Sequence, residues 1–528
     1  MSMLLRPMIK PFCYGIAAVF SLIISGCTVG PDFQRPEAPI ESTWIESGDK
    51  RVNSETRDYR NWWQTFNDPV LNRLVDQAYD ENLSLKIAGV RVIEARAQLG
   101  IAAGNFYPQT QQAAGSLNYT RLSEQSAQAI PPFQYYLSQI GANASWEIDF
   151  WGKFRRAIES ASASWLATAA DYDNALVSLT ADVANSYINI RTLEKRIAIA
   201  LQNVETQKES LKIAEARYRY GTASLLDVEQ ARTQLNNTMA SIPSLKAQQR
   251  QQENALCVLL GMAPKDLAEM LEGPSDIPVS PTEIVVGIPA DLLRRRPDIR
   301  SAEYQAIAQS AQIGVAKAEL YPAFSLSGDF SFLSTSAGKS ELSDMFKWRS
   351  RTILAGPSFQ WNILNYGQIT NNVRVQDARL QELLIAYQNT VLSAQQDVED
   401  NLSAFLRAQE RADDLARSAE SAKSALDLAV KQYREGVKDF TAVLLAQQSL
   451  LNEQDNLAST LGNISTSLVG VYRALGGAWE SREGRDLVPE GIREEMAKRT
   501  DWGRLLAPAS YNPPLTEKPS SSIRAPDW

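Results

Sequence analysis

At 528 residues, 44% of them hydrophobic, the chain is long enough for several packed units and too apolar for wholesale disorder. Its formal charge of −8 argues against a nucleic-acid partner, and the complete absence of histidine removes Ser-His-Asp and Cys-His nucleophiles and every His-ligated metal site. Three cysteines, Cys13, Cys27 and Cys257, form neither a CxxC nor an even framework, so no metal, redox or other cofactor site is expected.

Arg6 and Lys10 make a basic start, Phe12 to Ile24 is a short apolar run, and Ile24-Ser25-Gly26-Cys27 follows. That run is too short to span a bilayer and has the flanks of a secretory signal, so residues 1–26 read as a removable leader. Small residues before Cys27 resemble the lipobox of bacterial lipoproteins, which implies a covalent N-terminal lipid on Cys27. Position 28 is Thr, not the Asp that retains enterobacterial lipoproteins at the inner membrane, so this resemblance points to the outer membrane. Cys257, between Leu256 and Val258, reads as a small core hydrophobe. Residues 27–60, rich in Pro, Glu and Ser, read as an extended, lipidated tether.

Asp68-Pro69 joins a capping residue to a first-turn proline and predicts a helix over Pro69–Asp80. A second, Leu83–Asn105, is stopped by Phe106-Tyr107-Pro108. Two tracts then lack both glycine and proline: Lys153–Tyr220 and Gln368–Glu435. Their bracketing glycines, Gly152 to Gly221 and Gly367 to Gly436, are each 69 positions apart. Each tract predicts one helix about 100 Å long. Leu176, Leu179, Val183, Tyr187, Ile190, Leu193, Ile197, Leu201 and Val204 recur at three and four, a coiled-coil seam. A smaller seam runs through Val391, Ala394, Val398, Leu402, Phe405, Ala408 and Ala412. After C-cap glycines the chain returns as Leu225–Leu260 and Phe440–Leu475, with Leu83–Asn105 and Asp298–Leu320 completing the cylinder.

The halves match at an offset of 214 to 215, as in Tyr107-Pro108 with Tyr321-Pro322. They read as a duplication, 61–260 and 291–476, joined by a linker over 261–290. Within Leu292–Asp298 the basic run reads as a surface helix end, with Asp298 capping the next helix. Residues 477–528 form an extension whose Pro- and Ser-rich end, from Ala507, reads as a flexible tail.

Between each Tyr-Pro pair and long helix the period changes to two. Ile140, Ala142, Ala144, Trp146 and Ile148 alternate with polar or small residues, and Ile353, Ala355, Pro357, Phe359, Trp361 and Ile363 alternate with Leu354, Gly356, Ser358, Gln360 and Asn362. Each half thus predicts a strand–loop–strand hairpin, over about 109–149 and 323–363. Aromatic residues gather where strand meets helix, at Trp146, Phe150, Trp151, Phe359, Trp361 and Tyr366, as in a membrane-interface girdle. On that reading Ile140, Ala142, Ala144, Trp146, Phe359 and Trp361 face lipid. Four strands cannot close a barrel alone, and open edges are not tolerated in lipid, so an oligomer is required.

Several stretches together resemble the TolC-like outer-membrane factor family of bacterial efflux systems, in its NodT-type lipoprotein branch. They are the lipobox at Cys27, Tyr-Pro at 107 and 321, Trp-Glu-Ile-Asp-Phe-Trp-Gly at 146–152, Asp-Leu-Leu-Arg-Arg-Arg-Pro-Asp-Ile-Arg at 291–300, and Tyr-x-x-Gly at 218 and 433. The resemblance implies a mixed α and β membrane protein. A homotrimer, with four strands per chain, would close one transmembrane β-barrel of twelve strands above a long α-helical coiled-coil barrel in the periplasm. It implies no enzyme but a passive exit duct for drugs or other small solutes, driven by an inner-membrane transporter of RND type through a periplasmic adaptor. The helix tips, Gly221, Thr222, Ala223, Gly436, Val437 and Lys438, would dock the adaptor. Relatives often carry Leu-Asp-Ala-Gln-Arg after the second tip glycine, but here Leu444-Leu445-Ala446-Gln447-Gln448 lacks both charges. Tyr218, Asp227, Glu229, Tyr433, Lys438 and Asp439 are then the candidates for a periplasmic gate. A periplasmic coiled-coil adaptor or scaffold lipoprotein is the other reading, and it needs no lipid-facing strands. A hydrolase with paired carboxylates finds no support in the scattered Asp and Glu.

Overall fold

The computed structural model describes residues 28–53, 55, 58–125, 131–287, 295–337, 342–514 and 518–520. The leader, Cys27 and the arginine-rich stretch up to Arg294 lie outside them. The body is carried by helices α1 (Pro69–Glu81), α2 (Leu83–Gly104), α3 (Lys153–Arg219), α4 (Leu225–Leu259), α5 (Pro297–Ala318), α6 (Gln368–Arg434) and α7 (Phe440–Ala474). These bounds fall within one or two residues of the sequence expectation, because caps and glycines punctuate them. The Asp68 carboxylate accepts from the N–H groups of Val70 at 2.8 Å and Leu71 at 3.1 Å, and Pro69 opens α1. Asp298 departs from expectation. The helix starts one residue earlier, at Pro297, whose fixed φ suits the first helical position. Asp298 instead sits in the first turn and pairs with Arg296 at 2.6 Å.

The short helices abut end to end. Asn82, the cap of α2, donates from Nδ2 to the carbonyl of Leu259, the last residue of α4, at 2.9 Å. Arg296, ahead of α5, donates to the carbonyl of Ala474, the last residue of α7, at 2.6 Å. Helices of 22 and 35 residues stacked this way run beside α3 and α6, each 67 residues and roughly 100 Å long. The two seams are buried as expected, except that Leu201 is 47% exposed and Ala408 half-buried. α3 packs against α1, α2, α4, α5 and α7, whereas α6 packs chiefly against α5 and α7. Much of the α6 surface, including Val375, Ile385 and Leu392, is therefore left exposed.

A small parallel pair joins β1 (Val52–Asn53) to β4 (Ile284–Val285), and the hairpins are β2 (Thr110–Arg121) with β3 (Gln134–Ile148) and β5 (Ala323–Thr335) with β6 (Arg351–Gln360). The hairpins form one antiparallel sheet in the order β2-β3-β5-β6.

A belt wraps the middle of the helices on one side. Residues 28–44 lie along α5 and α6 without helix or strand, and Ile45–Gly48 form a 3-10 helical turn. Arg35 pairs with Glu303 at 2.6 Å, and Trp44 is buried with its indole N–H on the Gly287 carbonyl. The linker is packed as well: Leu267, Leu271, Ile284 and Val286 are buried, and Cys257 is fully buried beside them. The C-terminal extension contradicts the flexible-tail expectation as far as residue 514. Helices α8 (Glu490–Arg499) and α9 (Pro508–Tyr511) pack on the body, Tyr511 is fully buried, and its carbonyl accepts from the Trp165 indole at 3.2 Å. At Gly89 a Cβ would lie 2.3 Å from the Leu487 carbonyl oxygen, so the extension closes directly onto the α2 backbone.

Candidate functional site

Three places carry the expected functional residues: the sheet, the strand–helix junction and the helix tips.

In the sheet, register sets Ile140, Ala142, Ala144 and Trp146 opposite Phe332, Phe330, Gly328 and Leu326. Across the next pair, Phe332, Phe330, Gly328 and Leu326 meet Arg351, Ile353, Ala355 and Pro357, and Phe359 meets Phe324. Directly opposed residues share a face, so Ile140, Ala142, Ala144, Trp146 and Phe359 lie on one apolar surface. The other face carries Asn143 with Asp329, Ser145 with Ser327, and Glu147 with Ser325. Trp361 falls just past the end of β6, which stops at Gln360 rather than Ile363. Among the described residues both outer strands, β2 and β6, have a neighbour on one side only. No described helix is long and apolar enough to cross a membrane.

At the junction the indole of Trp146 donates to the Phe106 carbonyl at 3.1 Å, and that of Trp361 donates to Leu320 at 3.0 Å. These are the same contact in the two halves. Trp151 stacks on Tyr321 at 4.6 Å and donates to the Pro322 carbonyl at 2.9 Å. The first described residues are seated here too. The Val29 N–H donates to the Trp151 carbonyl at 3.0 Å. Gly152, at φ +78°, faces Thr28 so closely that a Cβ would lie 2.6 Å from its Cγ2. Asp32 pairs with Arg156 at 2.7 Å. Residue 27 itself lies outside the described residues, but residue 28 is fixed at the aromatic layer.

At the tips, Gly221 (φ +72°) and Gly436 (φ +76°) each end a long helix in the left-handed conformation. The bonds Thr222 N–H to Arg217 and Gly221 N–H to Tyr218 form a Schellman cap, repeated by Val437 to Gln432 and Gly436 to Tyr433. Of the candidate gate residues, the structure joins Tyr433 and Asp227, with the hydroxyl 3.3 Å from a carboxylate oxygen. Burial, then the Asp227 charge, push the phenol up to about 12, so it stays a neutral donor. Tyr433 is buried against Phe440 at 5.3 Å, within the cluster that binds the two helical hairpins together. Tyr218, its counterpart in the first half, is 45% exposed. Glu229 is exposed and pairs with Arg232 at 2.6 Å, and Lys438 and Asp439 are exposed on the turn, so these three stand outside the Tyr433–Asp227 contact. Thr222, Val437 and Lys438 are exposed and Ala223 half-buried.

Arg217 was not among the candidates. Its guanidinium lies 4.5 Å above the Tyr433 ring and donates to the Thr222 carbonyl at 3.0 Å, tying one tip to the other hairpin. The sequence held a partial signal, since Arg217 lies one residue before Tyr218 in the first Tyr-x-x-Gly.

The family model described as outer membrane efflux protein matches residues 74–262 and again 288–477. Nodulation protein T of Rhizobium leguminosarum bv. viciae is 32% identical over 468 residues, covering 88% of this chain and 93% of that protein. A probable efflux pump outer membrane protein of Pseudomonas putida, TtgC, is 29% identical over 475 residues, covering 89% and 96%. The solved outer-membrane channel OprN superposes with a TM-score of 0.81 at 32% identity, over 86% of this chain and 100% of that one. The chain belongs to the outer membrane efflux protein family.

Proposed function

We propose that this chain is the outer-membrane exit duct of a tripartite efflux system, assembled as a trimer and coupled through a periplasmic adaptor to an inner-membrane transporter of RND type. One observation carries the reading: a four-stranded sheet, apolar on one face and open at both edges, stands on helices of about 100 Å. A second copy's β2 beside β6, and its α2 beside the exposed side of α6, would continue both layers. Three copies give twelve strands, enough to close a barrel. The apolar face, with Ile140, Ala142, Ala144, Trp146 and Phe359, would then meet lipid. The repeated element lengths and the two family matches support an internal duplication.

Lipidation of Cys27 is supported by the seat of Thr28 at the aromatic layer, since an acyl chain on the preceding residue would reach the leaflet beside the barrel. Cys27→Ser is expected to abolish incorporation of labelled palmitate while leaving part of the protein in the outer membrane, held by its strands. Palmitate in that variant would exclude the site.

The tips would dock the adaptor. Gly221 has open space where a Cβ would project, and Gly436 has only the end of Arg217 at 3.5 Å, so a side chain there meets conformational strain of about 1 kcal/mol rather than a clash. Gly221→Glu with Gly436→Glu is therefore expected to insert normally yet lose drug resistance in a deletion strain and cross-linking to the adaptor. Full complementation would remove the tips as the docking site.

A further inference from the structure

Where α7 ends and α5 begins, the helices leave a groove of about 670 Å³ between α3 and α6. It lies on the side away from the belt. On α3 the belt side carries Leu176, Val183, Tyr187 and Ile190, and the Tyr187 hydroxyl donates to Asp68 at 2.8 Å. Asn174, Ser178, Asn185 and Asn189 recur at four and seven on the opposite stripe and line the groove. On α6 the N-terminal segment binds Gln395 and Glu399. The groove residues Asp397 and Asn401 are each two positions further on, about 200° around the helix.

The charges in this groove are already matched. Arg296 is spent on Asp298 at 2.6 Å, on the Ala474 carbonyl, and on Asp397 at 3.4 Å. Arg473 has Asp182 at 3.9 Å. What remains is amide and hydroxyl. The carboxamides of Asn174, Asn185 and Asn189 line it on α3 beside the Ser178 hydroxyl, and Asn401 and Thr466 face them.

We propose that the groove is a lumenal binding subsite for uncharged solutes rich in hydroxyl or amide groups, held there in transit. Its volume is that of a small-molecule pocket, about 300–1,000 Å³, and its carboxamides donate and accept at once, as such solutes require. The inference rests on the duct reading, because this side of the helices faces a lumen only if copies close into a ring.

The test is titration calorimetry of maltotriose into the detergent-solubilised full-length protein, with the oligomer mass measured on the same sample. Saturable binding is expected, weakened at least about tenfold in Asn185→Leu/Asn189→Leu. Asn389→Leu, exposed on α6 outside the groove, is expected to leave it unchanged. The oligomer mass of each variant excludes misfolding as the cause. A closed oligomer that binds no maltotriose, or binds it equally in the double variant, would overturn the subsite. So would equal affinity for sucrose octasulfate, a polyanion. A monomeric sample would instead overturn the duct reading, whatever maltotriose does.

Discussion

Asp173→Ala is expected to destabilise the folded chain by about 3–5 kcal/mol, the cost of removing one partner from a buried ion pair. Asp173 is fully buried on α3 and pairs with Arg482 of the C-terminal extension, itself 3% exposed. Arg300 adds a second guanidinium at 3.5 Å and stacks on Trp479. Burial pushes the carboxyl up to about 6, and the two guanidinium groups beside it keep it ionised at neutral pH. Arg482 also donates to Asn512 Oδ1 at 2.9 Å and to the Pro513 carbonyl at 3.3 Å, so this one side chain ties α3 to two distant parts of the extension. With Asp173 gone, the buried Arg482 guanidinium stays without its carboxylate. Limited proteolysis should then release the segment after residue 477, and the thermal midpoint should fall. Asp173→Leu combined with Arg482→Met should recover much of the loss, because it removes the uncompensated charge as well. A single variant as stable as the wild type would show that the ion pair does not hold the extension.

The second large effect lies in the sheet, where two adjacent residues should behave oppositely. Ala144 lies on the apolar face opposite Gly328, and Asn143 lies on the polar face opposite Asp329. Ala144→Arg directs a charge to lipid and should cost about 2–4 kcal/mol near the bilayer midplane. Asn143→Arg places the same side chain beside a carboxylate and should assemble normally while changing conductance. The measurement is outer-membrane yield and heat-modifiable migration of each variant. Equal assembly defects would mean that the two faces are not lipid and lumen.

The helices were legible because their signals are local. A tract without Gly or Pro, a seam at 3.5, and a glycine at each reversal depend on residues close in sequence. The same holds for β3, β5 and β6, where apolar and polar residues alternate. Strand β2 carries no such alternation. Its two faces, Gln111, Ala113, Gly115 and Leu117 against Gln112, Ala114, Ser116 and Asn118, are both built mostly of small or polar side chains. The tip caps were readable from Gly221 and Gly436, but the Tyr433–Asp227 contact joins residues 206 apart. The belt was hidden for the same reason. Nothing near Arg482 in sequence marks it as the partner of Asp173, 309 positions earlier. Its Pro- and Ser-rich end resembles a solvated tail until Tyr511 finds its pocket. In physical terms, the elements were encoded locally, and the long-range closures that lock them were not.

The central claim is that copies of this chain close one barrel and one tunnel. The most direct measurement is the chain number and shape of the purified, detergent-solubilised full-length protein, by mass measurement and electron-microscopic imaging of the same preparation. Three chains in one particle, with a single β-domain and a single helical stem of about 100 Å, are the expected result. A monomer or an open assembly with free β2 and β6 edges would contradict it.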